Sequence, residues 1–360
     1  MKVSIQTLGS LGDVMPYISI AESLKTRGHT VSILAPRDYT ELITSHGITA
    51  APPPPFSLDK WMVEAEQRGT LTNPVSFFRD WKRMITPHVD QTMARSLEAA
   101  DGADLVLANL ICAPARVAAE YHKLPFILSA QQPTLTPTKH VPCVMMARRE
   151  MDGMRNRLSY GAMKASLWLV GRALAPHRKK LGLPRTPAFT DISTHLGRAL
   201  TQITSVSPIL MHQRPGDWPG HAHLVAYPSK LPSPDWIPPP ALQSFLEAGS
   251  APIFIGLGSM QLDAARPFLE LAIEGLEQAG LRGLFAEKLV RGTGLDLGQH
   301  GVIEHAPHDQ LLPLCAAIVH HGGAGTIDTA MRAGCPQIIM PQMLDQFWHG
   351  RRLEHLGLAP

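Results

Sequence analysis

The segment with the clearest potential for chemistry is His320-His-Gly-Gly-Ala-Gly-Thr326, which follows an apolar run and precedes a helical pattern. Glycines let the backbone approach an anion, and a helix N-terminus offers unpaired N–H groups and the positive end of its dipole. The histidine and Thr326 add side-chain donors for phosphate oxygens. The segment predicts a phosphate-binding turn; a purely structural strand-to-helix turn is the alternative.

Two further segments of the same half place polar groups after apolar runs. Gly256-Leu-Gly-Ser259 follows the run 252–255, and Asp345-Gln346 follows the run 336–340. Ligands bind at the carboxyl edge of a doubly wound sheet, so the second glycine turn predicts another phosphate contact. The alternative for Ser259 is a helix cap. An acid beside an amide suits vicinal sugar hydroxyls, and helix capping is again the alternative.

The elements that must position these segments alternate between strand and helix. Apolar runs without alternation fit a sheet covered on both faces, and a strand, a glycine turn and a helix open a doubly wound parallel sheet. Both halves show this order, so the sequence predicts two Rossmann-like α/β domains. The predicted strands are 3–8, 30–35, 105–108, 125–129, 252–255, 282–286, 301–304, 316–320 and 336–340, and the predicted helices include 15–27, 115–122, 264–279 and one ending at 333.

Length and proline content predict where the chain divides. At roughly 150 residues per domain, 360 residues predict two domains. Of the 32 prolines, one cluster lies within 228–241, where prolines remove backbone donors and favour a semi-rigid linker. The predicted domains are therefore 1–227 and 242–360.

Composition excludes several classes of protein. A formal net charge of +3 gives no support for nucleic acid as a partner. The four cysteines lack metal-binding spacing, which predicts reduced, buried thiols and no metal site. The N-terminus has no signal-peptide layout, and the apolar stretch 160–174 is too short and too charged to span a bilayer. The sequence predicts a cytoplasmic protein, monomeric or weakly dimeric, and leaves peripheral membrane contact open.

Methionine and aromatic residues are frequent between the predicted strands of the first half. They suit an adaptable apolar surface, which predicts a pocket for an apolar acceptor; ordinary helix cores are the alternative. The residues are Phe56, Trp61, Phe77, Phe78, Trp81, Met84, Met145, Met146, Met151, Met154, Met163 and Trp168.

Several motifs together resemble the bacterial family 1 glycosyltransferases, in the branch of the sterol, macrolide and glycopeptide glucosyltransferases and the rhamnolipid rhamnosyltransferase. The resemblance covers both ends and the linker and is weak from about 52 to 200. The motifs are Gly-Ser-x-Gly-Asp-Val-x-Pro at 9–16, Arg-Gly-His-x-Val at 27–31, Pro307-His-Asp-Gln-Leu-Leu-Pro313, the histidine–glycine turn at 319–326, Arg332-Ala-Gly-Cys-Pro336 and Asp345-Gln346.

The resemblance implies a GT-B fold, with two Rossmann-like domains facing each other across a cleft. It also implies an inverting transfer without bound metal or cofactor, from a UDP- or dTDP-sugar held by the C-terminal domain to a hydrophobic acceptor held by the N-terminal domain. The implied contacts are Ser259, His321, Gly322, Gly323, Gly325 and Thr326 for the diphosphate and Asp345 and Gln346 for the sugar. His305 and Ala306 lie in the nucleobase region, although His305 stands where many relatives have an aromatic residue.

The resemblance implies that Asp13 is the general base. It follows a glycine turn at a predicted strand end, beside Ser10 and Gly12 of the acceptor loop, where a carboxylate could take the acceptor hydroxyl's proton. Its alternative role is to cap the first helix. The Gly-Trp-Gly segment common in the branch is absent, and Leu284-Phe-Ala-Glu-Lys288 occupies its place.

The same motifs are compatible with other functions. The same fold also serves nucleotide-sugar 2-epimerases, and a non-catalytic nucleotide-sugar-binding protein would share the motifs. A nicotinamide oxidoreductase is disfavoured, because Gly9-Ser-Leu-Gly12 lacks the required glycine spacing and no acid ends the second strand. Family members continue further beyond the Asp-Gln pair, so we expect an incomplete C-terminal domain or an unrecorded tail.

Overall fold

A computed structural model of the chain describes residues 1–68, 74–144, 151–184, 192–229, 236–258 and 265–360. The chain forms two compact units, the first comprising residues 1–61 and 73–230 and the second residues 62–72 and 231–360. Each unit is an α/β layer structure around a parallel sheet.

The described residues of the first unit form a seven-stranded parallel sheet in the order β3-β2-β1-β4-β5-β8-β9, with a short antiparallel pair, β6 and β7, beside it. Val3 and Ile5 of the inner strand β1 are buried, as expected for a sheet covered on both faces. The strands are β1 Lys2–Gln6, β2 Thr30–Leu34, β3 Thr49–Ala50, β4 Leu105–Asn109, β5 Phe126–Ala130, β6 Thr194–His195, β7 Arg198–Ala199, β8 Thr201–Ser205 and β9 Ala222–Val225.

The helices of this unit connect the strands and carry the rest of its core. One side of β1 and β2 packs on α1 in a cluster that contains Tyr17 and Ile18. The helices in this part of the chain are α1 Leu11–Thr26, α2 Thr40–Ser45, α3 Leu58–Gln67, α4 Pro74–Ile85, α5 Val89–Ala100, α6 Ala113–Tyr121 and α7 Gly153–Lys180, with 3-10 turns at Arg37–Tyr39 and Thr86–His88. Residues 62–67 of α3 are grouped with the second unit.

The described residues of the second unit form a five-stranded parallel sheet in the order β12-β11-β10-β13-β14. Its central pair aligns Ile255 of β10 with Val319 of β13, so both strands end at one edge. Its elements are α8 Pro240–Glu247, β10 Ile253–Ile255, α9 Ala265–Gln278, β11 Gly283–Ala286, α10 Glu287–Val290, β12 Gly301–Ile303, α11 His308–Leu311, a 3-10 turn at Leu312–Leu314, β13 Ala317–His320, α12 Ala324–Arg332, β14 Gln337–Ile339 and α13 Gln346–His355.

The predicted strands are all present, but the sequence did not predict β3 or the strands β6 to β9 of the first unit. The strands β8 and β9 are rich in Thr, Gln, Ser and His, so they lack the apolar signal of the others. The buried Gln202 is accommodated because Thr136 Oγ1 donates to its Oε1 at 2.6 Å and its Nε2 donates to the Ile192 carbonyl at 2.5 Å. Residues 160–174, which the sequence marked only as an apolar stretch, belong to the 28-residue helix α7.

The structure tests what the composition predicts for the cysteines and for membrane-spanning helices. Cys112, Cys143, Cys315 and Cys335 are all free and buried, as predicted. Among the described residues, no helix is both long enough and apolar enough to cross a membrane.

Candidate functional site

The histidine–glycine turn joins β13 to α12, as the sequence predicted. Gly323 is the N-cap residue, and no side chain caps the helix within the described structure. The first backbone bond of the turn runs from the Ile327 N–H to the Gly323 carbonyl at 3.0 Å. The N–H groups of the first helical turn, which includes Gly325 and Thr326, are therefore oriented for an anion at the helix N-terminus.

Two glycines pack directly on the imidazole of His321. A Cβ atom at Gly258, whose φ is +69°, would lie 2.6 Å from His321 Cε1. A Cβ atom at Gly323 would lie 2.6 Å from His321 Nε2. The turn after β10 and the turn after β13 thus meet at this ring, and only residues without a side chain allow so close an approach.

The environment of His321 is that of a neutral hydrogen-bonding group. Burial lowers the pKa of its imidazole to about 4, with a smaller contribution from the nearby His349 and His308 rings. Its Nδ1 atom is buried and makes no hydrogen bond to any described residue. Leaving a buried polar atom unpaired costs on the order of 1–3 kcal/mol, so a ligand that satisfies Nδ1 would recover part of that cost.

The neighbouring His320 is buried and fixes the backbone of the turn. Gly322 N–H donates to His320 Nδ1 at 3.2 Å, so the ring proton is on Nε2, which donates to Gln337 Oε1 at 3.1 Å. Burial lowers the pKa of His320 to about 3, which keeps this tautomer neutral. On the other side of the same glycine, His349 Nδ1 donates to the Gly322 carbonyl at 2.8 Å. Two buried imidazoles therefore fix both polar groups of Gly322.

Asp345 and Gln346 lie where β14 leads into α13, against the same turn. A Cβ atom at Gly322 would lie 3.4 Å from the Gln346 carbonyl oxygen. Gln346 Oε1 accepts the N–H groups of Gln342 at 2.8 Å and Met343 at 3.0 Å, so this oxygen holds the loop together. A role of Gln346 toward sugar hydroxyls therefore stays a prediction.

The carboxylate of Asp345 makes no capping hydrogen bond to α13 in the part of the chain described. Burial raises the pKa of its carboxyl, and the His349 ring partly opposes the shift. The preceding Leu344 has φ +48°, which is rare for a bulky residue and stores strain at the turn. The structure thus places a partly buried acid after a strained residue, next to the glycine turn.

The other residues predicted to bind the nucleotide sugar are Ser259, His305 and Ala306. Ser259 lies outside the described residues. His305 is exposed, and Ala306 is half-buried against the core of the second unit. No group of three His, Cys, Asp or Glu side chains in the described ranges is arranged to hold a metal ion.

The candidate acceptor loop in the first unit is built as a capping box. Ser10 is the N-cap residue of α1, and both its N–H and its hydroxyl donate to Asp13 Oδ2, at 2.8 and 3.1 Å. Gly9, at φ +140°, leaves the space for this carboxylate, because a Cβ atom there would lie 2.3 Å from Asp13 Oδ2. Gly12 is exposed at the start of the helix. The capping role considered for Asp13 is therefore present, and its role as a base stays a prediction.

A buried asparagine, which the sequence did not indicate, holds this loop to the next strand. Asn109 at the end of β4 donates from Nδ2 to Thr7 Oγ1 at 2.9 Å and to the Leu8 carbonyl at 2.7 Å. Its Oδ1 accepts the Cys112 N–H at 3.0 Å. Asn109 therefore ties the turn before Asp13 to the turn after β4.

The methionine and aromatic residues of the first unit do not form one pocket among the described residues. Phe56, Trp61 and Met163 are buried, whereas Met154 and Trp168 are exposed. Met145 and Met146 lie outside the described residues, as do the side chains of Phe77, Phe78 and Trp81. A cavity of about 20 Å³ beside Asn109 and Leu167 has room for about one water molecule, far less than an acceptor needs.

Family profiles match both halves of the chain. Residues 3–136 match the glycosyltransferase family 28 N-terminal domain. Residues 299–359 match the C-terminal domain described as erythromycin biosynthesis protein CIII-like. The two matches contain the capping-box loop and the histidine–glycine turn, respectively.

Similar proteins cover the whole chain. O-mycaminosyltylonolide 6-deoxyallosyltransferase of Streptomyces fradiae is 30% identical over 375 residues, which cover 100% of this chain and 85% of that protein. A sterol 3-beta-glucosyltransferase of Emericella nidulans is 26% identical over 100% of this chain, but the chain spans only 26% of that protein.

Solved structures show the same architecture. The glycosyltransferase of kitacinnamycin has a TM-score of 0.68 at 18% identity, covering 99% of this chain and 85% of that one. The Streptomyces sp. SF2575 glycosyltransferase SsfS6, complexed with thymidine diphosphate, has a TM-score of 0.61 at 20% identity, covering 100% of this chain and 87% of that one. These structures and the two parallel sheets confirm the predicted GT-B fold. The chain therefore belongs to the glycosyltransferase family of its Streptomyces fradiae relative, as its motifs predicted.

Proposed function

We propose that this chain transfers a hexose from a UDP- or dTDP-sugar to a hydroxyl of a hydrophobic small-molecule or lipid acceptor, in the cytoplasm and without a bound metal or cofactor. The acceptor oxygen forms a bond to the anomeric carbon while the bond from that carbon to the diphosphate oxygen breaks, so the configuration inverts. Asp13 takes the proton of the acceptor hydroxyl, and the nucleoside diphosphate leaves.

The observation that carries this proposal is the buried Nδ1 of His321, to which no described residue hydrogen-bonds, at an N-terminus of α12 that no described side chain caps. Negative charge grows on the diphosphate as it departs. Donors that are already oriented toward this charge stabilise it without reorganisation, which is usually the largest single contribution to catalysis. The donors proposed here are the His321 ring, the N–H of Gly323 and the first turn with Gly325 and Thr326. Gly322, whose N–H donates to His320 Nδ1, contributes by shaping the turn around the diphosphate.

The comparisons support the donor and acceptor classes. One structural neighbour was solved with thymidine diphosphate. The names of two relatives specify a sterol and O-mycaminosyltylonolide as acceptors. Because a sterol is an apolar molecule with a hydroxyl group, we extend the hydrophobic acceptor class to this chain.

The test is a nucleotide-release assay with the purified full chain. UDP-glucose and a set of dTDP-sugars are each combined with sterol, polyketide, phenolic and hydroxy-fatty-acid acceptors and with a hydrophilic sugar. We expect release of UDP or dTDP that requires one of the apolar acceptors. Preference for the hydrophilic sugar would contradict the acceptor class. Acceptor-independent epimerisation would favour an epimerase, and nucleotide binding without turnover on any acceptor would favour a binding protein.

The contact between Gly258 and His321 gives a further prediction. In Gly258→Ala the new methyl group would displace the imidazole, so we expect the affinity for UDP or dTDP to fall by about tenfold or more. Gly280→Ala is the matched control, because Gly280 has φ +64° but a Cβ atom placed there would have no neighbouring atom within 4 Å. Both variants should lose a similar free energy of unfolding, on the order of 1 kcal/mol, from backbone strain. Calorimetric titration and thermal unfolding measure the two effects, and equal loss of affinity in both variants would contradict the prediction.

A further inference from the structure

The long helix α7 of the first unit presents large apolar side chains away from the core. Met154, Leu158, Trp168 and Leu169 are 55%, 70%, 46% and 55% exposed. At 3.6 residues per turn these four positions fall on one side of the helix and form a single stripe, called here the α7 stripe. The opposite side already supplies the core contacts of the helix, through Tyr160, Met163, Leu167 and Leu174. The α7 stripe is therefore not needed to hold the helix in the fold.

The charges of α7 have one sign. Its 28 residues include seven Lys or Arg and no Asp or Glu. Arg178 is buried and its Nη1 lies 2.6 Å from Glu120 Oε2, so it belongs to the core. The other six cations are exposed and flank the stripe: Arg155, Arg157, Lys164, Arg172, Lys179 and Lys180.

Helix electrostatics does not explain this distribution. Lys179 and Lys180 lie in the last turn, where cations favour the helix dipole. Arg155 and Arg157 lie at the opposite end, where the dipole disfavours them, and Arg157 Nη1 lies 3.9 Å from Asp217 Oδ2. Arg172 lies in the middle and stacks 4.9 Å from the centroid of the Trp168 ring. Cations thus accompany the stripe along its whole length.

We propose that α7 binds the surface of an anionic lipid membrane through the α7 stripe. Apolar and tryptophan side chains between Lys and Arg residues are typical of a helix that lies in the plane of a membrane interface. The apolar side chains enter the boundary between headgroups and acyl chains, and the flanking cations contact anionic headgroups. Met154 and Trp168 of the α7 stripe belong to the residues that the sequence suggested for the acceptor pocket, but both are exposed. Membrane binding through them assumes no particular acceptor.

The first measurement is flotation of the full chain with two kinds of vesicle. One kind is phosphatidylcholine alone, and in the other about a third of the lipid is phosphatidylglycerol, which carries the negative surface potential. We expect binding to the anionic vesicles to exceed binding to the neutral ones by at least tenfold, and to fall as salt screens the surface. The tryptophan emission of the chain, which has six tryptophans, should shift to shorter wavelength on binding, and Trp168→Phe should remove that shift.

Variants identify the surface. Leu158→Glu places a negative charge on the α7 stripe, and we expect its partition onto anionic vesicles to fall by about tenfold or more. The matched control is Leu271→Glu on α9 of the second unit, because Leu271 is 69% exposed and Leu158 is 70% exposed. Leu271 lies in a helix that contains Glu270, Glu274 and Glu277, and its single Lys or Arg, Arg266, pairs with Glu270 at 2.9 Å. Leu271 therefore has the same exposure without a row of flanking cations.

Each remaining outcome decides against the proposal. Equal binding to neutral and anionic vesicles, or no binding to either, overturns it. Equal loss in the Leu158→Glu and Leu271→Glu variants also overturns it, because the effect would then be one of general surface charge. If the wild-type chain forms a dimer that Leu158→Glu dissociates while vesicles do not bind, the occupant of the α7 stripe is a second copy of the chain. Thermal unfolding of both variants checks that each is folded.

Discussion

Replacing His321 with alanine is expected to lower kcat/KM for the nucleotide sugar by about 10²- to 10³-fold, which is the usual cost of removing one oriented donor to a developing negative charge. Burial lowers the pKa of this imidazole to about 4, so the ring is neutral near pH 7 and acts through a hydrogen bond rather than a full positive charge. The lost interaction grows with the charge on the departing diphosphate, and kcat should therefore fall more than KM rises.

Two companion variants make the His321 experiment specific. His321→Gln retains a side-chain donor and should recover part of the loss. His355→Ala removes an exposed histidine in the last turn of α13 and should leave kcat/KM unchanged. If His321→Ala keeps kcat/KM within about threefold of the wild type, a hydrogen bond of ordinary strength has not been lost and the ring does not contact the donor. Steady-state kinetics with varied donor at saturating acceptor provides the measurement.

The sequence identified the histidine–glycine turn but not the residues that pack against it. The histidine, the glycines and the start of the helix are consecutive in the chain, so a phosphate-binding turn can be predicted from one segment. The contact between Gly258 and His321 joins residues 63 positions apart and depends on the alignment of Ile255 with Val319 in the parallel pair β10 and β13. Sequence reasoning could place both turns at one edge of the sheet but could not place a glycine against an imidazole.

Adjacent histidines illustrate the same limit. Successive residues at the end of a strand point in different directions, so His320 turns into the core and bonds to Gln337, whereas His321 packs between two glycine turns. His349 belongs to a separate helix and had no recognisable pattern, yet it donates to the Gly322 carbonyl. Positioning groups of this kind are found only when distant segments are brought together.

The strands were predictable from the sequence wherever a buried strand consists of consecutive apolar residues. The predicted strands of both sheets agree with the structure to within about two residues, the usual uncertainty of element ends. Helix α1 begins at Leu11, four residues before the predicted 15–27, because the capping box of Ser10 and Asp13 starts it and the apolar spacing begins only later. Polar strands such as β8 were missed because their burial is offset by side-chain hydrogen bonds.

The capping box also sets the conditions for testing Asp13. In Asp13→Asn the side-chain oxygen can still accept the Ser10 N–H that Asp13 Oδ2 accepts at 2.8 Å, so the helix start should survive. The free energy of unfolding should change by no more than about 1 kcal/mol, the typical worth of a cap. An amide cannot take up the acceptor's proton, so we expect kcat to fall by about 10²- to 10⁴-fold while KM for the donor changes little.

Backbone variants beside Asp13 separate the position of the carboxylate from its charge. Gly9→Ala places a methyl group 2.3 Å from Asp13 Oδ2, so the carboxylate must move and kcat should fall by about tenfold or more. Gly12→Ala is the matched control, because its methyl group meets only Ser10 Oγ, at the ordinary contact distance of 3.6 Å. If Asp13→Asn turns over at the wild-type rate, Asp13 serves the helix alone. If Asp13→Asn and Gly9→Ala are slow and Gly12→Ala is not, the carboxylate acts as a base from the position that Gly9 leaves open.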